Sequence, residues 1–142
     1  MNTYFHLDAG RKFFGVPALK SILDTLAEAG IGNFQLYLTD NQGFRFALDD
    51  MSLTTDYDTY DLTPALGDGY STSDGKAPCG SGKYLTQEEM DDIIAYANSK
   101  GIDIVPCINV PGHMGAILEE FTGFRYKKYS STSKSSIDLG NQ

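Results

Sequence analysis

The chain has 142 residues, of which 41% are hydrophobic and 21% charged, enough for one globular domain with a real core. The net charge is −8, and the largest basic run is the pair Lys127-Lys128. A polyanion would be repelled, so nucleic acid is an unsuitable partner. No apolar stretch approaches the roughly 20 residues of a membrane span, and we identify no signal peptide in this sequence.

The first predicted unit is a strand followed by a helix. The strand covers residues 4–8, and the helix runs from about Val16 to Ala29, with Pro17 in its first turn and Gly30 as its stop. One face of the helix is apolar at the i, i+3, i+4, i+7 spacing of a buried stripe: Leu19, Ile22, Leu23 and Leu26.

The second and third predicted strands cover residues 34–38 and 102–110. Between them, a helix begins after Thr86, which can form a capping box with Glu89, and ends at Gly101. The apolar face of this helix is formed by Met90, Ile93, Ile94 and Ala97. The third strand is mostly apolar, as expected of a strand covered on both faces. Strands alternating with helices predict an α/β fold with parallel pairing.

Two segments fall outside this alternation. Residues 41–84 exceed the usual βα loop and are rich in Asp, Thr, Gly, Ser and Tyr, so they either shape a binding cleft or are disordered. The tail, residues 126–142, is predicted to be a loop leading toward a further element. Three strands would leave a bare sheet edge, so we interpret residues 1–142 as part of a larger α/β domain and doubt that they fold alone.

Polar side chains follow each of the three predicted strands. Asp8 and Arg11 follow the first strand, Asp40 and Gln42 the second, and Asn109 and His113 the third. Parallel α/β enzymes build their sites at the carboxyl ends of their strands. The pattern therefore indicates an enzyme site at this edge of the sheet.

Each candidate has a functional and a structural interpretation. The fork of Arg11 suits carboxylates or paired sugar hydroxyls, or it forms only a surface salt bridge with Asp8. His113 follows a Pro-Gly turn that can aim it into a cleft, but an isolated histidine is more often structural. Asp40 could orient the imidazole of His113, or it could be an ordinary turn residue.

Four stretches carry a family resemblance, in order and spacing, over nearly the whole chain: HLDAGRKFF (6–14), LYLTDNQGFRF (36–46), YLTQEEMDDIIAYANSKGIDIVP (84–106) and NVPGHMGAI (109–117). Together they resemble glycoside hydrolase family 20, the β-N-acetylhexosaminidases and their lacto-N-biosidase relatives. The resemblance implies a partial (β/α)8 TIM barrel, with about the first three βα units within residues 1–142.

The resemblance also implies roles for the candidate residues. Arg11 would hydrogen-bond sugar hydroxyls in the −1 subsite, with Asp8 beside it in substrate binding. Asp40 and His113 would form a relay behind the catalytic acid. In this family, the 2-acetamido oxygen of the substrate attacks the anomeric carbon, so that hydrolysis retains configuration. The acid belongs to an Asp-Glu pair, and no Asp-Glu dipeptide occurs here. We therefore expect the acid to lie beyond these residues and the chain alone to be inactive.

The implied substrate is a glycan with a terminal β-linked N-acetylhexosamine, either GlcNAc, GalNAc or a disaccharide unit. No metal or organic cofactor is implied, and the implied protein partner is the remainder of the barrel. Relatives that act on glycans are commonly exported, so we expect a secreted or cell-surface protein.

The sequence departs from the family pattern at several positions. Gln35 and Tyr37 stand where many members have histidine, and Asn41 stands where an acidic residue often follows the relay aspartate. Cys107 and Asn109 occupy positions where many relatives have Glu and Asp. These differences leave the choice of sugar open.

Three other questions stay open. The chain could be a non-catalytic carbohydrate-binding or assembly module, since the acid pair is missing and rings in the excursion could stack on sugars: Tyr57, Tyr60 and Tyr70. It could be a metal-dependent barrel hydrolase that uses His6, Asp8 and His113. Finally, Cys79 and Cys107 could pair, although two free thiols are favoured.

Overall fold

The computed structural model describes residues 3–54, 56, 58–67, 82–128 and 131–140. The helices and strands are β1 (Tyr4–Asp8), α1 (Val16–Glu28), β2 (Asn33–Tyr37), β3 (Thr39–Asp40), β4 (Gly43–Phe44), β5 (Ser52–Thr54), β6 (Thr59–Asp61), α2 (Gln87–Ser99), β7 (Asp103–Cys107), α3 (Gly115–Glu120), β8 (Arg125–Lys128) and β9 (Ser131–Ile137). No helix among these residues is both long and apolar enough to cross a membrane.

A three-stranded parallel sheet forms the centre of the fold, in the order β1-β2-β7. Asp8 at the end of β1 is in register with Tyr37 at the end of β2, which is in register with Cys107 at the end of β7. The predicted parallel α/β arrangement is therefore confirmed. Because the three strands end level with one another, the loops that follow them begin at the same edge.

The two predicted helices are also confirmed, within one or two residues at their ends. Thr86 caps α2: its hydroxyl accepts from the backbone N–H of Glu89 at 3.2 Å, and the Glu89 carboxylate accepts from the N–H of Thr86 at 2.9 Å. This is the capping box expected from the sequence. Both helices pack on one face of the sheet through buried apolar side chains, which include Leu19, Leu23, Leu26, Phe34, Leu36, Met90, Ile93 and Ala97.

Parts of the predicted core lie at the surface. Ile94, expected on the buried face of α2, is 39% exposed. The third strand ends at Cys107 rather than at residue 110, and Ile108 and Val110 are exposed. No residue of β7 is fully buried, so the expectation of cover on both faces is wrong. The physical reason is that β7 is an edge strand of the sheet in this structure.

The long excursion contains ordered structure in its described parts. Three strands lie in these described parts: β4 pairs antiparallel with β3, which directly precedes the excursion, and β5 pairs antiparallel with β6. Just beyond the end of the excursion, the backbone N–H of Leu85 donates to the carbonyl of Arg45 at 2.8 Å, which ties the two ends of this segment together. The expectation of disorder does not hold for these parts, whereas residues 68–81 lie outside the described residues.

The tail differs from the prediction of a loop. β8 and β9 form an antiparallel hairpin that packs against α3. The N–H of Met114 donates to the carbonyl of Ser135 at 3.0 Å, and the N–H of Ile137 donates to the carbonyl of Pro111 at 2.9 Å. The Ser-rich sequence of β9 hides this strand from a search for apolar alternation. The tail thus holds the turn that carries His113 from both sides.

Candidate active site

Arg11 lies just beyond β1 and is held by Asp8. Its backbone N–H donates to Oδ1 of Asp8 at 3.0 Å, and its Nη1 donates to Oδ2 at 2.6 Å. Backbone and side chain therefore contact the same carboxylate, which fixes the turn after the strand. The salt bridge that was the structural interpretation of Arg11 is present, but it is only part of the arrangement.

Asp40 is the buried centre of the cluster, with 1% of its surface exposed. Its Oδ2 lies 2.9 Å from Nη2 of Arg11 and accepts a hydrogen bond from the hydroxyl of Tyr37 at 3.2 Å. A buried carboxylate is costly unless it is paired and hydrogen-bonded, and here it is both. Asp40 is thus a supporting residue that orients Arg11 rather than a group open to substrate.

Gly10 allows this close approach. A Cβ at Gly10 would lie 3.0 Å from Cβ of Asp40 and 3.2 Å from the Asp40 backbone nitrogen. A larger residue would therefore push the turn after β1 away from Asp40.

The charges of the cluster alter two ionisation equilibria. Partial burial disfavours the charged form of Arg11, but the charge of Asp40 and the hydrogen bond and charge of Asp8 outweigh it and raise its pKa. Burial, followed by the charge and hydrogen bond of Asp40, raises the pKa of Tyr37 to about 12. Arg11 is therefore held as a cation and Tyr37 as a neutral hydrogen-bond donor.

His113 reaches the same cluster from the loop after β7. Its backbone has φ of 58°, a left-handed conformation that costs a residue other than glycine about 1 kcal/mol or more. Its Nδ1 lies 3.6 Å from Oδ2 of Asp40 and 3.3 Å from Nδ2 of Asn41, and 57% of the side chain is exposed. The imidazole therefore sits beside the carboxylate with its outer edge open to solvent.

Asn109 binds the loop to β3 instead of entering the cleft. Its backbone N–H donates to Oγ1 of Thr39 at 3.2 Å, and its Nδ2 donates to the Thr39 carbonyl at 3.3 Å. Of the six polar residues that follow the strands, the structure brings together Asp8, Arg11, Asp40 and His113.

Three residues of the site region were not expected from the sequence. Tyr37 and Asn41 were noticed only as departures from a family pattern, yet they contact Asp40 and His113 respectively. Arg45 is 1% exposed and donates to the carbonyls of Gly10 at 3.1 Å, of Lys83 at 2.9 Å and of Gln42 at 3.2 Å, and also to that of Gly67. The sequence signal that could have found Arg45 is its position between Phe44 and Phe46, since a cation within an otherwise apolar run needs buried partners.

The alternatives from the sequence find less support. Nδ1 of His6 lies 3.2 Å from Oε1 of Gln35, and the described residues contain no group of three or more His, Cys, Asp or Glu placed to hold a metal ion. Tyr60 packs edge-on against Phe121 and Phe124. Tyr57 and Tyr70 lie outside the described residues.

Cys107 is a free, half-buried thiol, whereas Cys79 also lies outside the described residues.

Residues 4–142 match the family model of the glycosyl hydrolase family 20 catalytic domain. The chain belongs to glycosyl hydrolase family 20. The resemblance inferred from the four sequence stretches is thus confirmed. The match extends through the β8-β9 hairpin, so the tail is part of the family domain and not an appendage.

Named relatives give the same result. The chain is 29% identical, over 95% of its length, to a β-hexosaminidase of Vibrio furnissii, of which it covers 22%. It matches a structure of the tandem family 20 catalytic modules of the pneumococcal exo-β-D-N-acetylglucosaminidase StrH with 36% identity and a TM-score of 0.79, over 99% of this chain and 35% of that one. A Streptomyces plicatus β-hexosaminidase in complex with its product GlcNAc matches with 25% identity and a TM-score of 0.74, over 99% and 27%. The chain therefore spans about a fifth to a third of the lengths of these proteins.

Proposed function

We propose that the full-length protein is a retaining β-N-acetylhexosaminidase that hydrolyses terminal β-linked N-acetylhexosamine from glycans. The observation that supports this most directly is the guanidinium of Arg11, held between Asp8 and Asp40 at the carboxyl edge of the parallel sheet. In this proposal, residues 1–142 supply about the first three βα units of a (β/α)8 barrel. The similarity to family 20 structures over 99% of the chain supports that placement.

Arg11 is proposed to bind hydroxyls of the sugar in the −1 subsite. Asp8 and Asp40 each contact one terminal nitrogen of its fork, while 47% of the side chain remains exposed. A guanidinium that is oriented in advance loses little entropy when hydroxyls bind to it. The binding free energy is then available to hold the ring in position for attack by its own acetamide oxygen.

His113 and Asp40 are proposed to support the acid, which would come from the remainder of the barrel. The exposed edge of His113 is available to a carboxylic acid in the cleft, and Asp40 lies within ion-pair distance of the ring. A carboxylate at that distance attracts the imidazole whenever the ring is doubly protonated and therefore positively charged. Asp40 therefore favours a positive charge on His113. That charge would stabilise the carboxylate that remains when the acid gives its proton to the leaving group.

The test is hydrolysis by the full-length protein. Chromogenic β-glycosides of GlcNAc, of GalNAc and of lacto-N-biose would be supplied separately, and proton NMR would identify the anomer released first. We expect hydrolysis of at least one substrate with the β-anomer as first product. Hydrolysis of none of them, or first release of the α-anomer, would overturn the proposal. The same series identifies the sugar that the cleft accepts.

A further inference from the structure

Asn41 lies between the backbone of α3 and the imidazole of His113. Its Oδ1 accepts a hydrogen bond from the backbone N–H of Gly115 at 3.0 Å, where α3 begins. That bond fixes the orientation of the amide, because the flipped amide would place its NH2 group against the N–H donor of Gly115. Nδ2 of Asn41 consequently points away from α3.

Nδ2 of Asn41 points at Nδ1 of His113, 3.3 Å away. An amide NH2 group donates hydrogen bonds and cannot accept them, so Nδ1 of a neutral imidazole must supply a lone pair there. Oδ2 of Asp40 is farther from Nδ1, at 3.6 Å, which is longer than a hydrogen bond. It also accepts from Tyr37 and lies 2.9 Å from Arg11. The nearest partner of Nδ1 is thus a donor.

We propose that Asn41 is a positioning residue that holds neutral His113 as the tautomer with its proton on Nε2. The ring then presents an N–H donor at its exposed edge, and the group that it meets in the cleft must be an acceptor. This inference deepens the proposed function, and only the identification of that acceptor with the oxygen of the catalytic acid rests on it. An aspartate at position 41 would reverse the assignment, because a carboxylate accepts where the amide donates.

The test is nitrogen-15 NMR of the full-length protein labelled at histidine, at about pH 8, where an imidazole is mostly neutral. The spectrum of His113→Gln assigns the ring signals. We expect the proton of wild-type His113 on Nε2, and in Asn41→Asp a proton on Nδ1, alone or together with Nε2. Asn98→Asp, the same substitution at an exposed position of α2, is expected to leave the wild-type pattern unchanged.

Two results would overturn the inference: a wild-type spectrum with the proton on Nδ1, or an Asn41→Asp spectrum identical to that of wild type. The wild-type spectrum decides even if the variant does not fold. Absence of hydrolysis by the wild type would overturn the proposed function, whereas the tautomer is read independently of activity.

Discussion

Nη2 of Arg11 lies 2.9 Å from Oδ2 of Asp40, and this contact joins the loop after β1 to the short strand that follows β2. The two partners differ sharply in exposure: the Arg11 side chain is 47% exposed, whereas Asp40 is 1% exposed. The buried carboxylate is therefore held in place by its surroundings, and it orients the partly exposed cation. Precise placement of the guanidinium depends on Asp40 more than on packing around Arg11 itself.

The first prediction concerns this contact. Arg11→Met and Asp40→Asn, alone and combined in the full-length protein, should show non-additive changes in the free energy of unfolding, with a coupling of about 1 kcal/mol. The expected value is modest because water screens the exposed cation. Urea denaturation of the four proteins measures it. Additivity within about 0.3 kcal/mol would show that the contact contributes nothing to stability.

A second prediction follows from the raised pKa of Tyr37, about 12 against an ordinary value of 10. Between these values the unfolded chain has lost the phenol proton and the folded chain has kept it. The contribution of neutral Tyr37 to the stability of the folded state is therefore complete below about pH 10, and it is lost as the pH rises through about 12. The ultraviolet absorbance of phenolate is measured against pH in wild type and in Tyr37→Phe, and the difference between the two curves reports the titration of Tyr37 alone. A difference curve with its midpoint near pH 10 would contradict the expectation.

A third prediction concerns Arg45, which donates to backbone carbonyls from both ends of the excursion and from the loop that carries Arg11. Arg45→Met removes these donors, so the carbonyls of the buried residues Gly10 and Gly67 lose a partner, at a cost of about 1–3 kcal/mol for each group that water cannot reach. We expect a loss of at least about 3 kcal/mol in the free energy of unfolding. Arg125→Met is the matched control, since Arg125 donates to one carbonyl, that of Leu118. Equal losses in both variants would refute the special stabilising role of the Arg45 hydrogen bonds.

Gly10 provides a fourth prediction. Gly10→Ala places a methyl group 3.0 Å from Cβ of Asp40, so the turn must move and carry Arg11 with it. We expect kcat/KM to fall by about tenfold or more, because small displacements in a site are costly. Gly123→Ala adds the same methyl group where no atom lies within 4 Å, and it should be neutral. Activity of Gly10→Ala equal to that of the control would show that the turn tolerates the methyl group.

The sequence was sufficient to predict the elements that local rules specify. The capping box at Thr86 and the apolar stripe through Leu19 and Leu23 depend only on neighbours along the chain, and both are present. Parallel pairing followed from the strand-helix alternation. It implied that the residues after each strand would meet at one edge.

Features that depend on distant partners could not be predicted in this way. The strand β9 is polar from Ser131 to Ser136, and only its contacts with the turn at Pro111 and with Met114 show what it supports. The hydrogen bond from Tyr37 to Asp40 spans only three residues, but it also could not be predicted, because it depends on how the chain runs from β2 into β3. Arg45 donates to carbonyls of residues far apart in sequence, so its position between two phenylalanines indicates a need for buried partners but not which residues supply them.

The substitution Arg11→Ala tests the central claim most directly. In the full-length protein, kcat/KM for a chromogenic β-N-acetylhexosaminide should fall about 10- to 100-fold, since a hydrogen bond from a charged donor contributes about 1.5–3 kcal/mol. The fold should persist, because the side chain is partly exposed. Lys12→Ala removes a neighbouring exposed cation that lies over the ring of Phe14, and it should change kcat/KM little. If Arg11→Ala hydrolysed the substrate as fast as Lys12→Ala and wild type, Arg11 would not bind the sugar, and the proposed site would be wrong.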